Sequence, residues 1–130
     1  MSIGPEKISG VARSETIMTE LEVDALDKAK SANPWWFKAV VRAAQIMASR
    51  RVKYSADYDP FTNFDYVAHA VGLQTRNIFK FFRAIKLSRL VNTDTDFDDE
   101  SYEDTLLDLG NYSFLEVGYR MREKEAESEG

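Results

Sequence analysis

The 130-residue chain contains no cysteine. That absence excludes a disulfide frame, a thiolate zinc site and a cysteine nucleophile, and it accords with a reducing, intracellular compartment. No apolar run approaches the roughly 20 residues of a membrane span, so no membrane partner is expected. The first residues lack a charged-then-apolar leader pattern, and the expected location is cytoplasmic. Histidine occurs once, as His69, which excludes an HExxH site, and no credible Ser/His/Asp set is present. His69 itself reads as an ordinary surface or partly buried residue. The phosphate-cradling loops GxxxxGK(S/T) and GxGxxG are missing as well. Basic residues do not dominate: the net charge of −5 argues against a general nucleic-acid binder, and no direct nucleic-acid binding is expected. Acidic residues are missing from one long stretch, with none between Asp27 and Asp57. The chemistry these absences leave open is metal-assisted hydrolysis.

Aromatic residues are plentiful. Eight Phe, six Tyr and two Trp, within a hydrophobic content of 44%, give one domain an aromatic-rich core. No internal repeat occurs. Residues 1–13, with two Gly and a Pro, read as an N-terminal arm. Residues 14–122 read as a single helical domain, and 123–130 as a charged tail expected to fray. The fold class expected is all-α, an antiparallel bundle of four to five helices.

Residues 15–30 form a modest helix with Ile17, Leu21 and Ala25 along one side. Glu20, Asp24 and Asp27 are spaced i, i+4, i+7, as either a second acidic wall or a solvated face. Asn33-Pro34 is a strong helix start, with Asn as N-cap and Pro at the first helical position. The helix over 35–54 should turn Phe37, Val40, Val41, Ala44, Met47 and Ala48 inward and Lys38, Arg42, Gln45, Ser49 and Lys53 outward. Residues 55–63 read as a loop, since Pro60 disfavours helix at Asp59. A short helix capped by Thr62 or Asn63 then ends at Gly72. Residues 74–91 read as a helix with Ile78, Phe81, Phe82 and Ile85 on its apolar face and Arg76, Lys80 and Arg83 opposite. Arg89 falls on that apolar face and Lys86 at its edge, where a cation needs an anion. Residues 92–99 are an acidic loop. Its Asp94, Asp96 and Asp98 imitate the start of a calcium loop, but Asp99 and Thr105 occupy positions that require Gly and Glu.

The stretch 98–121 carries the chemistry. Leu107, Phe114, Val117 and Met121 form one apolar stripe at helical spacing. Asp104, Asp108, Asn111 and Leu115 form a second stripe directly beside it rather than opposite. Burying an ionised carboxylate unpaired costs several kcal/mol, so these acids call for a cation, a metal or a substrate. The economical arrangement sets Lys86 and Arg89 near Asp104 and Asp108 around a shared polar pocket. Carboxylates at i and i+4 can hold Mg²⁺ together with phosphate oxygens and water, while cations hold the rest of a phosphate chain. Asn111 is placed to meet a base or a metal-bound water.

KYSADYDPFTNF at 53–64, the K-x-x-R-L of Lys86, Arg89 and Leu90, and ESYEDTLLDLGNY at 100–112 resemble the phage and bacterial family called nucleotide modification associated domain 1. That family is in turn similar to the all-α nucleoside triphosphate pyrophosphohydrolases, MazG-like and dimeric dUTPase-like. The resemblance covers about half the chain, Lys53 to Val117. It implies a helical bundle, homodimeric or larger, that binds Mg²⁺ (or Mn²⁺) and cleaves a (deoxy)nucleoside triphosphate to monophosphate and pyrophosphate in a bacterial cytoplasm. The family's E-x-x-D motif maps onto Asp108-x-x-Asn111, with Asn in place of the last acid. Its E-x-x-E partner is missing from residues 34–56, where Asp57, Asp59 or Glu20, Asp24 and Asp27 are the available substitutes.

Carried over, the resemblance makes Asp104 and Asp108 catalytic and metal-holding, assisted by Glu100 and Glu103. Lys53, Lys86 and Arg89 then meet phosphates, and Asn63, Phe64, Asn111 and Tyr112 shape the nucleoside pocket. Three readings stand: a Mg²⁺-dependent pyrophosphohydrolase, a non-catalytic nucleotide-binding module linked to phage DNA base modification, and a helical interaction protein in which Arg89 pairs structurally with Asp104 or Asp108.

Overall fold

The computed structural model describes residues 18–51, 59–92 and 99–129. The N-terminal arm, Lys53, Asp57 and the acidic loop with Asp94, Asp96 and Asp98 lie outside the described residues. The fold is all-α: α1 (Glu20–Ala32), α2 (Pro34–Arg51), α3 (Thr62–Val71), α4 (Thr75–Val91) and α5 (Asp99–Glu129). Among the described residues no helix is long and apolar enough to cross a membrane. The chain divides into two compact units, residues 1–38 and 39–130.

In the first unit, α1 starts on a capping box: the Glu22 amide donates to Thr19 Oγ1 and the Thr19 amide to Glu22 Oε1. No α1 side chain is buried. Glu20, Asp24 and Asp27 are solvated, and Asp24 pairs with Lys28 at 3.0 Å. α2 opens where the sequence places it, with the Trp36 amide donating to Asn33 Oδ1 at 2.9 Å. Lys30 lies over Phe37 and Lys38 over Trp35.

In the second unit, the N-cap of α3 is Phe61 rather than Thr62 or Asn63, no side chain caps it, and Asp59 holds the turn that leads into it. The Asp59 carboxylate accepts from the Phe61 amide at 2.7 Å, and its carbonyl accepts from the Thr62 amide. α3 ends at Gly72, whose φ of 77° is the left-handed cap conformation that glycine adopts most readily. Arg76, Arg83 and Lys86 of α4 reach Glu123, Glu116 and Asp108 of α5, so the two helices run antiparallel. Among the described residues the core cluster is Phe61, Ala68, Ile78 and Phe79, with Phe64, Val67, Phe82, Leu115 and Tyr119 packed against them.

Several faces are rotated from the expected orientation. On α5 the polar stripe faces inward, as expected of carboxylates that call for cations, with Asp108 and Asn111 buried, but the apolar stripe beside it does not. Phe114, Val117 and Met121, expected in the core, are each more than half exposed. On α4, Phe79 is fully buried while Phe81 and Ile85 are exposed, and Arg83 is drawn in to meet Glu116. On α2, Ala43 is the buried position, Val41, Ala44 and Ala48 are exposed, and Arg42 points to α5. The common cause is charge pairing: the carboxylates of α5 meet cations from both neighbours, so its polar stripe can be covered without leaving unpaired ions. α5 also continues to Glu129, beyond the expected fraying point. Its last turns are rich in Glu, Lys, Arg and Ala, which sustain helix, and glycine recurs only at 130.

Candidate functional site

Asp108 is the centre of the site. It projects from the middle of the inward stripe of α5 and is 5% exposed. Arg50 of α2 donates from Nη2 to its Oδ1 at 2.8 Å, and Lys86 of α4 lies 2.8 Å from its Oδ2. One carboxylate thus joins three helices and holds a cation on each oxygen. Lys86 is largely covered, whereas Arg50 is about half exposed. One turn earlier, Arg42 donates to Asp104 at 2.6 Å and to Glu103 at 3.1 Å. The hydrogen bond that Arg42 donates to Glu103, working against desolvation and aided by Asp104, raises the guanidinium above its ordinary value.

Asn111, one turn after Asp108, is 6% exposed. Its Nδ2 donates to the Ala43 carbonyl at 3.1 Å, a second bond to an acceptor within α2. Tyr112 stacks on Phe82, with ring centroids 5.4 Å apart and planes at 15°. Burial pushes its phenol up; Arg50 pulls it back and Asp108 raises it further. Phe64 belongs to the aromatic core, 4.9 Å from Phe79 and 6.4 Å from Tyr112.

The structure therefore brings Lys86, Asp108, Asn111 and Tyr112 to one region. It reverses the order expected of the two α4 cations: Lys86 is the covered one, and Arg89, one turn on, is exposed. Glu100 is exposed at the start of α5, and Asn63 is exposed in the first turn of α3. Asp59, a candidate substitute acid, is held by Arg122. The sequence reading missed Arg42 and Arg50, which it assigned to a solvated face or left unassigned. The signal for them was the acid-free composition of α2 opposite an acid-rich α5.

A second ion-pair centre lies farther along α5. Arg83 and Arg120 both donate to Glu116, at 2.6 and 3.0 Å, and Arg83 also reaches the Tyr112 carbonyl. Burial pushes the Glu116 carboxyl up, but the bonds from Arg83 and Arg120 outweigh it, and the net shift is downward. A depressed carboxylate pKa adds stability above the ordinary glutamate value and loses it as pH falls through the depressed one. Glu116→Gln should therefore lower stability at neutral pH and flatten the acid limb below about pH 4.3. Urea titrations of both proteins at pH 7, 5 and 3 check this.

A Mg²⁺ site requires carboxylate oxygens free to converge. Here both Asp108 oxygens face cations, and Glu103 and Asp104 converge on Arg42. Among the described residues no three Asp, Glu or His side chains gather as a metal set. As placed, these carboxylates fit the ion poorly. Comparison with family models, curated proteins and solved structures returns no match for the chain.

Proposed function

We propose that the protein binds a (deoxy)nucleotide through its phosphates at the Arg50–Asp108–Lys86 cluster, without hydrolysing it. The observation that carries this is two cations held side by side by one buried carboxylate. A guanidinium has five N–H donors and an ammonium three. Asp108 takes one from Arg50 and one from Lys86, so donors remain on both groups for phosphate oxygens. The half exposure of Arg50 leaves the cluster reachable. The poor fit of the carboxylates to Mg²⁺ favours binding over turnover.

Calorimetry with each common dNTP and NTP, with and without Mg²⁺, tests this alongside an assay for released pyrophosphate. The expected result is metal-independent, salt-sensitive binding without product. Lys86→Ala should weaken that binding about tenfold, the worth of one charge-assisted hydrogen bond. Pyrophosphate release in Mg²⁺ would restore the hydrolase reading, with Glu103 and Asp104 released from Arg42 to hold the metal. An absence of binding would reduce the cluster to a structural ion pair.

A further inference from the structure

Between α5 and the middle of α2 lies an open cleft of about 290 Å³. Val40, Ala44 and Met47 line one side, and Phe114, Leu115 and Gly118 the other. Asn111 is the one polar residue among the described residues lining it. The bond from its Nδ2 to the Ala43 carbonyl fixes which end of the amide is which. Its Oδ1 is then left without a donor among the described residues, in a side chain that is more than nine-tenths buried. Buried acceptors in folded chains are nearly always satisfied. The walls beside this one are apolar and suit an organic ring better than a chain of waters.

We infer that this cleft binds a small planar aromatic molecule carrying a single N–H donor, an indole-class heterocycle. The ring lies against the apolar walls, and its N–H donates to Asn111 Oδ1. The cleft volume lies just below the usual range of ligand clefts, about 300–1,000 Å³, which suits a bicyclic fragment. A nucleobase presents several donors and acceptors on its edges, and among the described residues the lining offers a polar partner to only one of them. The inference is therefore separate from the phosphate-binding proposal and stands or falls without it.

The test is titration of the isotope-labelled full chain with indole and with benzofuran, which has the same shape but no N–H. Indole is expected to shift the amides of Ala44 and Gly118 and the side-chain NH₂ of Asn111. Benzofuran should bind at the same place about fivefold more weakly, the worth of one neutral hydrogen bond. Asn111→Leu should abolish the difference between the two. Phe114→Glu, at a position more than half exposed and therefore tolerant of the change, should weaken both probes. Equal affinities in the unaltered protein, shifts confined to other regions, no shifts at all, tighter binding of adenine than of indole, or indifference to Phe114→Glu would each overturn the assignment.

Discussion

Phe79→Ala is expected to remove about 3–5 kcal/mol of unfolding free energy, the range for deleting a buried phenyl ring and leaving its cavity. Phe79 is fully buried and meets Phe61 edge-on at 6.2 Å, Phe64 at 4.9 Å and Tyr119 at 5.9 Å. It is the ring through which α3, α4 and α5 share a core, and each such aromatic pair adds about 0.5–1.5 kcal/mol beyond its area. Among the described residues only Phe61, Ala68 and Ile78 are fully covered in the same cluster, so few of them can close over the gap. Natural domains hold about 5–15 kcal/mol in all; the loss is therefore about a fifth of the total or more, and the urea midpoint should fall accordingly. Phe81→Ala, two residues along the same helix, removes a ring that is 42% exposed and should cost about 1 kcal/mol. Equal losses from the two substitutions would show that the face of α4 is misassigned.

The contrast between Phe79 and Phe81 marks the limit of what periodicity reveals. Helix ends were legible because they depend on local chemistry: Asn33 before Pro34 opens α2, and Gly72 in a left-handed conformation closes α3. Helix rotation was not, because it depends on which neighbours arrive. Leu107, Phe114, Val117 and Met121 define an apolar stripe by their own preferences. The neighbours of α5, however, are α4 with Arg83 and Lys86, and α2 with Arg42 and Arg50. Those cations make the stripe of Asp104, Asp108 and Asn111 the better one to cover, and Phe114, Val117 and Met121 remain in solvent.

The candidate site was legible to the same extent. Acids beside an apolar stripe demand cations, and Lys86 meets Asp108 on that account. Which residue supplies the second cation could not be read from spacing within one helix, because Arg50 is 58 residues from Asp108. The Arg83–Glu116–Arg120 centre escaped notice for a related reason. Arg83 belongs to a stripe with Arg76 and Lys80 that looks solvated until α5 runs antiparallel beside it.

Asp108→Asn is the change that separates a ligand site from a structural ion pair. It keeps the shape of the side chain and leaves two cations facing an amide. Removing one partner of a buried pair costs about 3–5 kcal/mol. Arg50 is half exposed and can turn to solvent, which brings the expected loss to about 2–3 kcal/mol. Adding Lys86→Met to Asp108→Asn should recover most of that loss, because no covered charge then lacks a partner. Any architecture with this ion pair predicts that much. The phosphate-binding proposal adds that an anion can take the place of the missing carboxylate. Pyrophosphate should raise the melting temperature of Asp108→Asn more than that of the unaltered protein, because a ligand that binds only the folded state stabilises it in proportion to its affinity. It should do much less for the double variant, which has lost one of the two cations. A melting temperature of Asp108→Asn indifferent to millimolar pyrophosphate, in a protein whose double variant has regained its stability, would leave the cluster as a structural ion pair and nothing more.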